Sequence, residues 1–286
     1  MPKTYNDLYL SVRRAMKAAG IESYNLEARL LVASCTGKTT EKLMADLSLY
    51  SNNEVEKKIN DALQRRLTGE PIAYITGSWE FYGLPIQVDR NVLIPRMDTE
   101  ILVDTAKSFL KGRKMNARVL DLCCGSGCIA CAIAKEMPAS RVVAADISLD
   151  AVSLCRRNVM MNDLSHRITC VDADATQAPP MLLGTFDLIV SNPPYIPTAE
   201  IQTLDPSVRD YEPSLALDGG EDGLDFYRVI TDKWRSVLRN GGALMFEVGE
   251  GQADAVKRLM LNAGFLDVDT EKDTLGIDRV VYGLYI

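Results

Sequence analysis

The pattern of apolar and polar positions divides the chain into an all-helical beginning and a remainder in which strands and helices alternate. Up to about residue 72, apolar residues recur at helical spacing: Leu8, Val12 and Met16, then Leu26, Ala28, Leu30 and Leu31, then Val55, Ile59 and Leu63. This predicts three or four short amphipathic helices in a small bundle, the last capped by Asn52 or Asn53. From Tyr74 to Pro95 the texture changes to aromatic and β-branched residues around glycines, as in Trp79-Glu80-Phe81-Tyr82-Gly83-Leu84, and predicts a hairpin linking two domains. Asp98 or Thr99 then offers a cap for a helix through Ile101, Leu102, Ala106 and Leu110.

Beyond that helix, apolar runs short enough to be buried strands alternate with helical patterns. Strands are expected at 119–122, 142–145, 168–171, 188–190, 243–248 and 280–285. Helices are expected at 127–134, 149–160, 226–238 and 253–263, and a long loop at 197–221. The alternation specifies an α/β fold with a mostly parallel, doubly wound sheet. The resulting domain division is a helical bundle over 1–72, a hairpin linker over 73–94 and an α/β domain over 95–286.

Chemistry concentrates at the ends of these strands. The run 186–191 closes on Asn192-Pro193-Pro194-Tyr195, at the carboxyl end of a buried strand, where open α/β sheets bind their ligands. Two prolines contribute carbonyl acceptors and no N–H donors, Asn192 adds a side-chain carbonyl, and Tyr195 adds a flat ring. Such a pocket satisfies both hydrogens of a planar –NH2, amide or exocyclic amine, and leaves its nitrogen facing outward. For a bare Pro-Pro pair a simple turn is the commoner reading; the flanking Asn and Tyr and the buried strand tip the balance to a site.

A second candidate site is Asp121-Leu122-Cys123-Cys124-Gly125-Ser126-Gly127, which joins a strand to a helix through glycines that allow tight turning and close approach to a ligand. Asp146 ends the next strand, placed to accept from ribose hydroxyls. A nicotinamide dinucleotide competes for this pattern, but the G-x-G-x-x-G order is missing and Asp121 so near the turn repels phosphate. S-adenosylmethionine, with an ammonium and a sulfonium, fits better. Asp174, with Ala175 beside it, either meets the adenine amino group or caps a turn.

Composition narrows the field. With 286 residues, 47% of them hydrophobic, the chain has material for a sizeable core, and no stretch approaches the roughly 20 apolar residues of a membrane span. The beginning lacks a signal peptide's apolar core, so a cytoplasmic protein is expected, with no membrane partner. The formal charge is −7 and no basic run exceeds a pair such as Arg13-Arg14, Arg65-Arg66 or Arg156-Arg157, so no direct nucleic-acid binding is expected. Seven cysteines and one histidine, His166, form neither a disulfide framework nor a paired zinc motif; Cys128 and Cys131 read as packing residues, with no metal site.

Several longer stretches carry a resemblance. Gly69-Glu-Pro-Ile-Ala-Tyr-Ile-Thr-Gly77, Trp79-Glu-Phe-Tyr-Gly83, Val92-Leu-Ile-Pro-Arg-Met-Asp-Thr-Glu100, the 121–127 turn, Asp187-Leu-Ile-Val-Ser-Asn-Pro-Pro-Tyr-Ile196, Tyr211-Glu-Pro-Ser-Leu-Ala-Leu-Asp-Gly-Gly220 and Asp278-Arg-Val-Val281 resemble the peptide chain release factor N5-glutamine methyltransferases. The resemblance implies a Rossmann-like, class I methyltransferase sheet that uses S-adenosylmethionine and releases S-adenosylhomocysteine. It implies that Asn192 and Pro193 grip the glutamine amide of the Gly-Gly-Gln loop of class 1 release factors, with Pro194 beside them and Tyr195 against the amide. The implied cofactor residues are Cys123 to Gly127, Asp146, Asp174, Ala175 and Asn192. Met97 stands where the family commonly has Pro, and Ala175 where some members carry an aromatic residue.

The Asn-Pro-Pro-Tyr element is shared with enzymes that methylate exocyclic amines of DNA or RNA, which remain the rival reading, with a non-enzymatic nucleotide-binding module behind it. A monomer that binds release factors as protein substrates, through the helical bundle, is expected.

Overall fold

The computed structural model describes residues 3–112 and 116–286. The chain forms two compact units, one made of the residues up to Ser78 together with Asp205–Tyr211, the other of Trp79–Leu204 and Glu212–Ile286.

The first unit holds α1 (Tyr5–Ala18), α2 (Tyr24–Thr36), α3 (Thr40–Ala45), α4 (Asn53–Leu67) and α5 (Ile72–Thr76). A reciprocal capping box opens α1: the Asp7 amide donates to Thr4 Oγ1 at 3.1 Å and the Thr4 amide to Asp7 Oδ2 at 2.9 Å. Asn52 caps α4 through the Val55 amide. Leu8, Val12 and Met16 form the buried stripe of α1, as their spacing predicts. On α2 the stripe is shifted from the expected one, because Leu26 is exposed and Glu27 is buried. Glu27 is tolerated inside because Arg66 reaches it with two guanidinium nitrogens, and Arg65 forks onto the buried Glu70 at 2.7 Å twice. The Arg65-Arg66 pair is thus spent on internal carboxylates. The excursion Asp205–Tyr211, containing α9 (Pro206–Arg209), joins this unit, and the Tyr211 hydroxyl donates to the Thr68 carbonyl at 3.0 Å.

A hairpin of β1 (Ser78–Phe81) and β2 (Leu84–Gln87) follows. Tyr82 and Gly83 between the strands both have positive φ, the requirement of a tight two-residue hairpin turn. The hairpin begins later than its sequence suggests: Ile75 and Thr76 close α5 rather than open a strand, with Gly77 as left-handed cap.

The second unit is built on seven strands: β3 (Arg118–Leu122), β4 (Arg141–Asp146), β5 (Ile168–Asp172), β6 (Phe186–Ser191), β7 (Leu238–Glu247), β8 (Leu266–Lys272) and β9 (Asp278–Tyr285). Their spatial order is β5-β4-β3-β6-β7-β9-β8, with β9 antiparallel to β7 and β8 antiparallel to β9. Helices α6 (Thr99–Lys111), α7 (Cys128–Glu136), α8 (Leu149–Met161), α10 (Asp225–Lys233) and α11 (Ala253–Asn262) complete the unit. Leu120, Ile189, Leu244, Phe246, Tyr227 and Trp234 belong to the core between sheet and helices. The sheet is the expected doubly wound one, with an additional edge strand, β8, where none was expected. The helix expected to run through Leu238 is α-helical to Lys233 and continues as a 3-10 turn over Trp234–Val237, and Leu238 already belongs to β7. Strand order reverses at the β3–β6 pair, which places a crevice beyond the carboxyl ends of those two strands.

No helix among the described residues is long and apolar enough to cross a membrane.

Candidate active site

Beyond the carboxyl ends of β3, β4, β5 and β6 lies a cleft. Its floor comes from the residues that follow those strands: Cys123 to Ser126, Asp146 to Ser148, Ala173 to Thr176, and Asn192 with Pro194. One wall is the stretch after the hairpin, with Asn91, Leu93 and Pro95 in it, and another is supplied by Pro213, Leu215 and Phe226. The buried Glu212 joins two of these segments, its Oε2 accepting from the Ile94 amide at 3.2 Å and its Oε1 from Arg96.

The β3–α7 turn is fixed by a left-handed backbone at Cys123, φ 62°, and again at Gly125 and Gly127. Asp146 holds this turn against the next: its Oδ2 accepts from the Gly125 amide at 2.8 Å and its Oδ1 from the Ser148 amide at 2.9 Å. Burial nevertheless raises its pKa, with the backbone amides of Ser148 and Gly125 opposing. Asp174 both faces the cleft and caps a turn, because its Oδ1 accepts from the amide and the hydroxyl of Thr176 at 2.8 and 2.7 Å. Ala175 lines the cleft, and its carbonyl is held by the Trp234 indole at 3.0 Å.

Asp121 does not reach the cleft, contrary to its expected place beside a cationic ligand. It points under the turn and is fully buried, with Oδ2 accepting from the Ala130 amide at 2.9 Å in the first turn of α7 and Oδ1 without a partner. Burial pushes its pKa up to about 8. Gly127 is likewise buried beneath the surface of the cleft, packed on Cys155. Cys128 and Cys131 are buried on α7, and among the described residues no three His, Cys, Asp or Glu side chains gather as a metal-binding group.

Asn192, Pro193, Pro194 and Tyr195 leave β6 together, Asn192 and Pro194 lining the cleft while Pro193 is buried and Tyr195 half-buried. A second segment braces them from behind: the Ile196 amide donates to the Leu217 carbonyl at 3.0 Å, the Gly219 amide to the Ile196 carbonyl at 2.9 Å, and Gln252 Nε2 to the Tyr195 carbonyl at 2.8 Å. Only glycine fits at 219, since a Cβ there would stand 2.7 Å from Tyr195 Cα. The Tyr195 hydroxyl has its pKa raised by burial.

Two residues that the sequence reading did not select complete this corner. Thr99, expected at most to cap α6, is buried and makes no cap hydrogen bond; its Oγ1 accepts from Asn192 Nδ2 at 3.3 Å. Its neighbour Asp98 pairs with Arg279 at 3.2 Å. Glu247, the last residue of β7, is buried with its carboxyl beside Thr99 and Asn192, and its Oε2 has no hydrogen-bond partner. A polar residue closing an apolar strand beside β6 was the available signal for it. Asn158 is a third such residue: from α8 its Oδ1 accepts from the Gln87 amide and its Nδ2 donates to the Ser126 carbonyl, tying the hairpin to the β3–α7 turn.

The charge of the cleft selects its ligand. Its lining carries two carboxylates, Asp146 and Asp174, and neither Lys nor Arg among the described residues. A pyrophosphate would find no cation among the described lining residues, whereas a nucleoside without phosphate that carries a positive charge meets acceptors on the floor and apolar surface from Ile129, Ala175 and Phe226.

Comparison with known proteins agrees with this geometry. A family model described as "Methyltransferase small domain" matches residues 97–205, and one described as "PrmC N-terminal domain" matches residues 7–77. A release factor glutamine methyltransferase of Geobacter sulfurreducens is 43% identical over 92% of this chain and 90% of its own length. One from Caulobacter vibrioides is 39% identical over 99% of this chain and 97% of its own. Among solved structures, a methyltransferase from Pyrococcus furiosus shares the fold, with a TM-score of 0.51 and 18% identity over 79% of this chain and 98% of its own. With identities of this size over almost the full length of both proteins, the chain belongs to the release factor glutamine methyltransferase family.

Proposed function

We propose that the cleft binds S-adenosylmethionine and that the chain methylates the side-chain amide nitrogen of the glutamine in the Gly-Gly-Gln motif of class 1 release factors. The observation that carries this reading is the Asn192 carboxamide at the rim of a cleft with neither Lys nor Arg among its described lining residues, its Nδ2 held by Thr99. With the donor end engaged, Oδ1 is left to accept a hydrogen from a substrate amide.

The residues that would hold the cofactor are the Cys123 to Ser126 turn, Asp146 toward the ribose, and Asp174 with Ala175 toward the base. When bound, the cofactor supplies an electrophilic methyl group on a sulfonium. The protein's contribution is placement. Asn192 Oδ1 and the Pro193 carbonyl grip the two N–H groups of the glutamine, so the nitrogen faces the cleft and its rotation is frozen out. As positive charge develops on nitrogen, the same two acceptors stabilise it, and the departing proton passes to solvent. Amide nitrogen is too weak a base to be activated by proton removal beforehand, so orientation and electrostatics supply the rate.

Tyr195 would cover the amide plane, and the helical unit, with its Asp205–Tyr211 excursion, would offer the surface that orients a whole release factor. The test is incubation with methyl-labelled S-adenosylmethionine and separate pools of release factor, DNA and RNA, followed by peptide mapping. Label on the Gly-Gly-Gln glutamine is expected; label on nucleic acid alone would replace this reading with the exocyclic-amine one.

A further inference from the structure

We propose that Glu247 is a positioning residue of the transfer site, one that locks the Asn192 carboxamide with its nitrogen inward and its oxygen toward the substrate. This inference rests on the amide-gripping role of Asn192 proposed above.

Ser191 pairs with Phe246, so the residues that follow them, Asn192 and Glu247, leave adjacent parallel strands at the same level. Glu247 is only 3% exposed, and its own backbone is fixed, because its carbonyl accepts from the Tyr227 hydroxyl at 2.9 Å. Its carboxyl lies beside Thr99 and Asn192, both of which favour its charged form. Asn192 Nδ2 has two hydrogens, and two acceptors stand beside it, Thr99 Oγ1 and the Glu247 carboxylate. A carboxylate is an acceptor only. Rotating the carboxamide by half a turn would bring Asn192 Oδ1 against it, an unpaired and repulsive contact in a buried place. Oδ1 is therefore directed away from Glu247.

The lock has a protonation state. Burial pushes the Glu247 pKa up to about 7, with Thr99, Arg279 and Asn192 favouring the charged form and Asp98 disfavouring it. The groups that face it are Asp98 ahead of α6, Arg279 on β9, Tyr195 after β6 and Tyr227 on α10. Once protonated, the carboxyl becomes a donor as well as an acceptor, so the flipped carboxamide is no longer excluded. The correctly oriented fraction of Asn192 then falls as pH drops through about 7. The unpartnered Oε2 is consistent with such a group: it costs stability to bury, and a purely structural position would favour a neutral side chain.

Two measurements decide the matter. In the first, the Asn192 side-chain amide resonances of the ligand-free, nitrogen-15-labelled protein are followed across pH. They should titrate near neutrality in the wild type and lose that titration in Glu247→Gln; resonances insensitive to pH would overturn the proposal. In the second, single-turnover methylation is measured from pH 6 to 9. The wild-type rate should rise through the Glu247 titration, whereas Glu247→Gln, whose amide can serve either orientation, should be slower by on the order of 10-fold to 10²-fold and flat in pH, with S-adenosylmethionine affinity unchanged. Equal rates and profiles would overturn it. If the wild type fails to methylate the glutamine at all, the proposed function fails, and the resonance experiment still decides whether Glu247 orients Asn192.

Discussion

The space that a side chain on Gly127 would need is already filled by Cys155: a Cβ there would stand 2.3 Å from Cys155 Sγ and 3.2 Å from its Cβ. Gly127 also has φ 76°, so an L-residue is strained there whatever the room. The two effects are separable. Gly127→Ala is expected to destabilise the protein by about 1–3 kcal/mol and to weaken cofactor binding, since the turn that lines the cleft must shift. Adding Cys155→Ala removes the sulfur and should return part of the loss, leaving the backbone strain. Denaturant melts of the two single variants and the double one give the coupling; strictly additive losses would show that the close contact does not matter.

Asp146, proposed above as the ribose acceptor, accepts from the Gly125 and Ser148 amides and so holds two turns of the cleft together. Asp146→Ala is therefore expected to lower S-adenosylmethionine affinity by about 10-fold to 10²-fold, the scale of one charge-assisted hydrogen bond. Asp146→Asn keeps one acceptor for the turn and should fall between. Calorimetric titration checks both, and an Ala variant that binds as tightly as the wild type would remove Asp146 from the site.

Asp121 offers a prediction about stability and pH. Its folded-state pKa, raised by burial to about 8, lies above its ordinary value of 3.8. Between these values the unfolded chain gives up the proton while the folded chain retains it. Stability from this group is therefore fully present below pH 3.8 and is lost progressively as pH rises toward about 8. In Asp121→Asn this loss is absent. The melting temperature of the variant relative to wild type should climb from pH 5 to pH 8; a constant difference would mean that Asp121 is ionised in the folded protein.

What could be read from sequence follows the range of the interactions involved. The strands β3 to β6 were legible because each announces itself within a few residues by an apolar run, and the turn at 123–127 by the glycines that follow β3. Strand β8 was not, because Leu266–Lys272 is a charged edge strand, mostly exposed, and its sequence has no buried face to betray it. Thr99 and Glu247 were missed for another reason. Glu247 gives only the weak local sign of a polar residue closing an apolar strand and Thr99 none; their meaning comes from Asn192, far away in the chain and brought beside them by the pairing of β6 with β7 and the entry of α6. The same holds for Asp205–Tyr211, whose composition gives no sign that it joins the helical unit.

The corner formed by Asn192, Thr99 and Glu247 makes substitutions at Asn192 depend on pH. Asn192→Ala removes an acceptor from the place where charge develops and should lower the single-turnover rate by about 10² to 10³ on the alkaline side of the Glu247 titration, and by less on the acid side, with cofactor affinity little changed. By chemistry alone Asn192→Asp ought to be mild, since an acceptor stays at the same reach. The Glu247 carboxyl next to it alters that expectation. Two carboxyls in contact cannot both ionise without large repulsion, so at low pH they share a proton, one oxygen remaining directed at the substrate. As pH rises the pair is forced apart and that geometry is lost. The Asn192→Asp rate should therefore fall with rising pH, opposite to the rise expected of the wild type, and should recover at high pH when Glu247→Gln is added. A pH-rate comparison of the three proteins checks this, and an Asn192→Asp profile parallel to wild type would show that Glu247 does not act on the residue that grips the amide.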